Sequence, residues 1–234
     1  MRTATLKELD AHMMVPGPKM DYRLFRLGAD VQLALGYQCA VIGGKLARPE
    51  VYGPKDRKGL RRSSNDIDMI VAYSDLIPEL DHVGELVRIR EWDGYALVPE
   101  SRDVCVSLHT EHSHGWYPPQ HFWDDTRMME VYGKALMVPS PEWAVATKLM
   151  TSTLNDRMRR KDSIDAATIL MNNQIDKRKL QEIMDSYVCT QCRHGSLLCI
   201  SGMQSARKNL GAGLQARFED RFLYLQNAVE ESCH

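Results

Sequence analysis

Ala40-Val41-Ile42-Gly43-Gly44 reads as an apolar strand that stops on two glycines. After a polar, basic connection, Ser63-Ser64-Asn65-Asp66-Ile67-Asp68-Met69-Ile70-Val71 reads as a second strand that opens with alternating carboxylate and apolar side chains. Side chains along a strand alternate faces, so Asp66 and Asp68 point the same way, roughly 6.6 Å apart along the strand axis. Two carboxylates on one face repel each other unless a cation sits between them. A hard divalent ion, Mg²⁺ above all, meets that need: it takes one or two carboxylates together with substrate phosphates in phosphoryl and nucleotidyl chemistry. Neither glycine has a Cβ, so the backbone at Gly43 and Gly44 can approach a phosphate closely. An Asp-x-Asp alone is usually a solvated strand edge. The glycine turn before it and the serine at Ser64 make this one a candidate site.

The pattern resembles the nucleotidyltransferase superfamily, and within it the AbiEii-type toxins and their MenT-like relatives. Their signature runs from a Gly-Gly or Gly-Ser turn into Ser-x-Asp-x-Asp, matched here by Ser64, Asp66 and Asp68. A second block follows: Lys148-Leu149 behind Pro139-Ser140-Pro141-Glu142-Trp143, then Lys161-Asp162-Ser163-Ile164-Asp165. Both blocks stand in the family's order, and the resemblance covers about residues 20–175.

The resemblance implies an α+β chain, with a mixed-sheet nucleotidyltransferase fold over residues 1–138 and a helical C-terminal lobe over 139–234. It implies transfer of a nucleotide from an NTP to an acceptor hydroxyl. Asp66, Asp68, Lys148 and Asp162 would be catalytic, with Mg²⁺ on Asp66 and Asp68, and Gly43, Gly44, Lys45 and Ser64 would hold the nucleotide. Lys148 would reach the triphosphate as a point charge. Asp162 would belong to the site and Asp165 would be structural. On the toxin branch the acceptor would be RNA, a tRNA end, and an antitoxin protein the partner. Small-molecule transferases that modify antibiotic hydroxyls share the first block, and a chain that had lost catalysis would keep only nucleotide binding. One departure stands out. Many nucleotidyltransferases carry a third carboxylate in a Val-Asp-Leu-like triplet on the third strand, where this chain has Val106-Ser107-Leu108. Asp103 and Glu111 are near but out of register, which speaks against a strict two-metal centre.

Composition sets the class. Hydrophobic content of 44% and charged content of 26% are ordinary for a globular protein. No long uncharged apolar stretch suggests a membrane span, and the N-terminus lacks the apolar core of a signal peptide, so a cytoplasmic protein is expected. A net charge of −1 gives no overall signal for nucleic acid. The basic residues are nevertheless clustered: Lys55, Arg57, Lys58, Arg61 and Arg62 precede the carboxylates, and Arg157, Arg159, Arg160 and Lys161 precede Asp162. Such clusters are more often solvated faces, but two beside one site suit nucleotide phosphates or an RNA backbone. Cys39 and Cys105 fall in apolar runs and read as core residues. Cys189, Cys192, His194 and Cys199 have the ligand types for structural Zn²⁺ without the usual spacing of a second pair; unpaired cysteines are the simpler reading.

Leu24, Leu27, Val31 and Leu35 recur at helical spacing, predicting a helix from about Asp21 that ends near Gly36 and covers the sheet. The connection from Lys45 to Arg62 is long, the length of a lid, and is expected to be mobile without substrate. Short strands follow at 86–90, 95–98 and 104–109, with a turn at Asp93-Gly94. The histidines His109, His112, His114 and His121 read as a polar turn leaving a strand, with His109 a candidate for the rim of the site and a transition metal the weaker alternative. A hairpin over 127–138 closes the sheet portion. Ser140 and Pro141 then start a helix to about Leu154, on which Lys148 by itself reads as a surface lysine. A basic turn leads into a helix from about Lys161 to Asn172. Asp176 caps another, and Leu214, Phe218, Phe222 and Leu225 mark a terminal helix.

Overall fold

Short segments with a two-residue hydrophobic period build a six-stranded mixed sheet, and longer 3.6-period segments cover it or follow it. The computed structural model describes residues 1–12, 20–53, 66–113, 118–151 and 156–187. It forms two compact units, Met1–Lys45 with Arg61–Pro139, and Leu46–Leu60 with Ser140–His234. The expected lid from residue 54 onward, the cysteine-rich segment with Cys189 and Cys192, the terminal helix and Ser64 all lie outside the described residues.

In the first unit the described strands and α-helices run β1 (Arg2–Ala4), α1 (Leu6–His12), α2 (Met20–Ala34), β2 (Cys39–Ile42), β3 (Asp66–Val71), β4 (Glu85–Ile89), β5 (Gly94–Val98), β6 (Cys105–His109), α3 (Gln120–Asp124), β7 (Arg127–Val131) and β8 (Lys134–Val138). The sheet order is β1-β4-β5-β6-β3-β2, with β7 and β8 as a separate hairpin. β1 runs parallel to β4 and β3 parallel to β6, whereas the β2–β3, β4–β5 and β5–β6 pairs are antiparallel. Strand β1 has no counterpart in the sequence reading; at three residues it is too short to show an alternating pattern.

Register sorts the side chains into two faces. One carries Ile67, Met69, Val106, Leu108 and Leu97, all buried, and packs on α2. Gly28 brings that helix close: a Cβ there would meet Ile67 Cδ1 at 3.1 Å and Met69 Sδ at 3.7 Å. Gln32, also on α2 and fully buried, donates through Nε2 to the carbonyls of Cys39 (3.2 Å) and Met137 (3.1 Å) and accepts from the Met137 N–H (2.7 Å). One amide side chain thus ties edge strand β2 to the β7–β8 hairpin. That hairpin turns on Tyr132 and Gly133, whose φ values of 53° and 73° match a two-residue turn with two left-handed positions.

The other sheet face is divided. Towards β1, Ala4, Leu9, Val87, Ile89, Ala96, Val98 and Cys105 form a buried cluster under α1, with Trp92 packed against it. Helix α1 is opened by a capping box: Glu8 accepts from the Thr5 N–H (2.7 Å) and hydroxyl (2.9 Å), and the Glu8 N–H lies 3.2 Å from the Thr5 hydroxyl oxygen. Towards β2, the same face carries Asp66, Asp68, Ser107 and His109.

In the second unit α4 spans Pro141–Thr151, α5 Asp156–Asn172 and α6 Lys177–Tyr187. As expected, Ser140 and Asp176 cap: the Trp143 N–H lies 3.5 Å from the Ser140 hydroxyl oxygen, and the Lys179 N–H donates to Asp176 at 3.1 Å. Helix α5 starts at Asp156 rather than near Lys161. Arg157, Arg159 and Arg160 are therefore helical and do not form a turn. Arginine, methionine and lysine are good helix formers, and no glycine or proline interrupts them. Asn173, just beyond α5, donates to the carbonyls of Tyr52 and Ile169, both at 2.8 Å, so the described part of 46–60 is anchored to the helices of its own unit. Among the described residues no helix is long and apolar enough to cross a membrane.

Candidate active site

Strand β3 presents Asp66 and Asp68 half-buried on one face while Ile67 and Met69 are fully buried on the other, as the alternation requires. Asp68 stands in register with Ile42 on β2, so the glycine turn begins beside it. Gly43 has φ +73°, and a Cβ on it would overlap the Asp68 carboxylate. The missing side chain at this position therefore makes room for a carboxylate. The sequence reading had assigned that space to a phosphate.

Across β6, Asp68 is in register with Ser107, which fixes the serine as the third-strand residue beside the pair. His109, two residues on and on the same face, places Nε2 3.7 Å from Asp68 Oδ1. Its ring lies against the Trp92 indole, centroids 4.4 Å apart at 31°. The two nearby carboxylates are engaged elsewhere. Asp103 is buried, paired with Arg23 on α2 and accepting from the Ser101 hydroxyl. Glu111 accepts from the Ser74 hydroxyl (2.5 Å) and N–H (3.3 Å). Burial raises the Glu111 pKa, but the Ser74 hydroxyl, the Glu111 and Ser74 N–H groups and the nearby His112 together hold the carboxyl below its ordinary value.

Asp66 and Asp68 are hard oxygen donors on an accessible face, with a hydroxyl at Ser107. Among the described residues no group of three or more His, Cys, Asp or Glu side chains is arranged to hold a metal. Two carboxylates on an accessible face suit a hard cation such as Mg²⁺, which they would hold together with phosphate oxygens and water. Among the described residues the histidines form no metal-holding group: His112 lies 3.6 Å from Glu111 and His121 4.0 Å from Asp124, while His114 falls outside the described residues. Cys39 and Cys105 are buried, and burial pushes the Cys39 thiol far up. Lys45, beyond Gly44, is buried and bonds Asp21 on α2 at 2.7 Å.

The second unit holds the other block. Glu142 through Leu149 on α4 are all buried, Lys148 included, which overturns its reading as a surface lysine. Lys148 Nζ lies 2.8 Å from Asp162 Oδ1 and 3.2 Å from Asp165 Oδ2 on α5. Asp162 lies inside α5 and not at its start. Both aspartates therefore hold the lysine, the second as well as the first. Two signals were available: an (i, i+3) pair on one helix face, and a lysine embedded in Val145-Ala146-Thr147-Lys148-Leu149, a stretch with little polar character.

Neither a protein-family model nor a curated protein matches the chain. Solved structures do. An antigenic nucleotidyltransferase-like protein from Paracoccidioides brasiliensis is 13% identical, with a TM-score of 0.51 over 83% of this chain and 93% of that one. The antibiotic-resistance factor ANT(2'')-Ia, solved in solution, is 12% identical with a TM-score of 0.37 over 90% of this chain and 99% of that one, too low to carry weight. At such identities the likeness is one of fold. The chain has an α+β, nucleotidyltransferase-like fold.

Proposed function

We propose that this protein is a metal-dependent nucleotidyltransferase that moves an NMP from an NTP to an acceptor hydroxyl, most plainly on RNA such as a tRNA end. The observation that carries the reading is the Asp66–Asp68 pair on an accessible face of β3, directly beside the Gly43 turn, in a nucleotidyltransferase-like fold. Bound by those two carboxylates, Mg²⁺ would supply charge neutralisation at the phosphates. The acceptor oxygen attacks the α-phosphorus, the bond from that phosphorus to the bridging oxygen breaks, pyrophosphate leaves, and the hydroxyl proton passes to solvent. Catalysis of this kind is mainly positioning and charge stabilisation. Backbone N–H groups at Gly43 and Gly44, with Ser64, bind phosphate oxygens, and Lys45 closes that turn. The resemblance alone assigns Lys148 and Asp162 a part in catalysis, with the ammonium held by the aspartates of its own unit. The resemblance to the AbiEii-type toxins is what supports a toxin-type setting with a protein antitoxin.

A second reading, a nucleotide-binding module without catalysis, is favoured by one observation: the third-strand position beside Asp68 is Ser107, not a carboxylate. Incubation of the full chain with each α-labelled NTP, Mg²⁺ and total tRNA, beside an Asp66→Ala/Asp68→Ala control, separates the two. Label in RNA from the wild type alone supports the transferase and identifies the base. NTP bound by calorimetry without label in any acceptor supports the binding module, and label in an added aminoglycoside instead of RNA moves the acceptor to a small molecule.

A further inference from the structure

The face of the sheet that carries Asp66 and Asp68 also carries a pair of rings with no part in the scheme above. Trp92, in the β4–β5 turn, folds over Gly94, where a Cβ would collide with the indole. Its ring packs on the Ala4–Leu9–Ile89 cluster and on His109. His109 is thus braced by the indole, and Nε2 is turned to Asp68. At 17% side-chain exposure it is less open than Asp68 at 32%. The imidazole thus faces one of the two carboxylates from a fixed position on the neighbouring strand.

We propose that His109, braced by Trp92, is a positioning residue for Asp68, restraining its carboxylate so that Asp66 and Asp68 bind a divalent cation at a place where the sheet offers Ser107 in lieu of a third carboxylate. The inference rests on the metal-binding reading of the pair. The 3.7 Å separation is beyond a direct hydrogen bond but within reach of charge–dipole contact or a single bridging water. Groups that hold a ligating carboxylate in this way are worth about 10–100-fold in metal affinity. A strand carboxylate has two rotatable bonds, and with two protein ligands for one ion each lost orientation weighs heavily.

The test is Mn²⁺ binding to the full chain, read as free Mn²⁺ by electron paramagnetic resonance, with circular dichroism and thermal melting as the check on folding. Wild type is expected to bind Mn²⁺ at a site that Asp66→Asn/Asp68→Asn removes. His109→Ala should weaken it by about 10–100-fold. His109→Gln, which keeps a donor near the Nε2 position, should recover most of the loss. Trp92→Leu should weaken binding less than His109→Ala, and Trp92→Phe, which keeps an aromatic brace, hardly at all. Wild-type affinity in a folded His109→Ala protein overturns the proposal and leaves the metal site standing. Equal weakening in the alanine and glutamine variants also overturns it, since lost packing would then be the cause. If His109→Ala does not fold, wild-type affinity in Trp92→Leu overturns it instead. Absence of any Mn²⁺ site dependent on Asp66 and Asp68 in the wild type removes the metal reading itself, and the proposal with it.

Discussion

The two blocks that read alike in the sequence are built in opposite ways. Asp66 and Asp68 lie half-buried on a strand whose other side chains, Ile67 and Met69, are buried on the opposite face. Lys148, Asp162 and Asp165 are all buried, between two helices of the second unit. A carboxylate pair on an accessible face contributes little to folding and is open to ligand chemistry. A buried cation between two anions has been withdrawn from water, so its parts hold one another in place whether or not they also act on a substrate. Substitutions in the first block therefore report function. Those in the second report folding first.

The largest effect is expected at Lys148. Lys148→Ala takes from two buried carboxylates the ammonium they share, and breaking a buried pair by removing one partner costs about 3–5 kcal/mol. Urea unfolding of the full chain would measure it, and a loss below about 1 kcal/mol would show that water reaches the triad and that the contrast with β3 is smaller than drawn. Asp165→Asn sharpens the point. The substitution keeps the shape and an oxygen that can accept from Lys148, so it should cost far less than Lys148→Ala. Equal losses would mean that each carboxylate is separately indispensable.

Gly43→Ala comes next. The residue adopts φ +73°, which costs a non-glycine residue about 1–2 kcal/mol, and the added Cβ overlaps Asp68. Stability should fall by about that much, and Mn²⁺ binding should fall with it because Asp68 must move. A variant that loses stability but keeps wild-type Mn²⁺ affinity would uncouple the turn from the carboxylate.

The sheet and the face that carries Asp66 and Asp68 were legible because strand alternation is a short period. Alternation along Asp66-Ile67-Asp68-Met69 assigned the faces, and the bounds of β2 follow from an apolar run ended by glycines. Helix α4 was located by the Ser140-Pro141 start. Side-chain partnership was not legible, since it depends on which elements meet. Nothing local says that Asp103 is taken by Arg23 or that Lys45 turns to Asp21. The start of α5 was missed because a run of arginines looks like a solvated loop when read as charge and like a helix when read as propensity. The role of Gly43 was half legible: the need for a bare Cα was read correctly from the paired glycines, but the group that fills the space lies on another strand.

Asp68→Asn tests the contrast from the other side. The substitution keeps volume and removes a charge from a half-exposed position, so unfolding free energy should stay within about 0.5 kcal/mol of wild type. Nucleotide transfer should nevertheless be abolished. A folded Asp68→Asn protein that transfers label at the wild-type rate would take the active site away from β3.

The smallest effect involves a third kind of charged group, exposed yet fixed by local hydrogen bonds. Glu8 in the capping box is held below its ordinary pKa first by the Thr5 N–H and then by the Thr5 hydroxyl, with slight desolvation opposing. Because the folded value is the lower one, the charged box stabilises α1 above the unfolded pKa. That contribution disappears as pH falls through the folded pKa. A carboxyl-carbon NMR titration of the native protein should place Glu8 below the free glutamate value, and Thr5→Val, which removes the hydroxyl but keeps the N–H, should move it only part of the way back. Full return to the ordinary value in that variant would assign the whole effect to the hydroxyl. An ordinary value in the wild type would mean that an exposed carboxylate gains nothing from a fixed geometry, and that burial alone separates the two charged blocks.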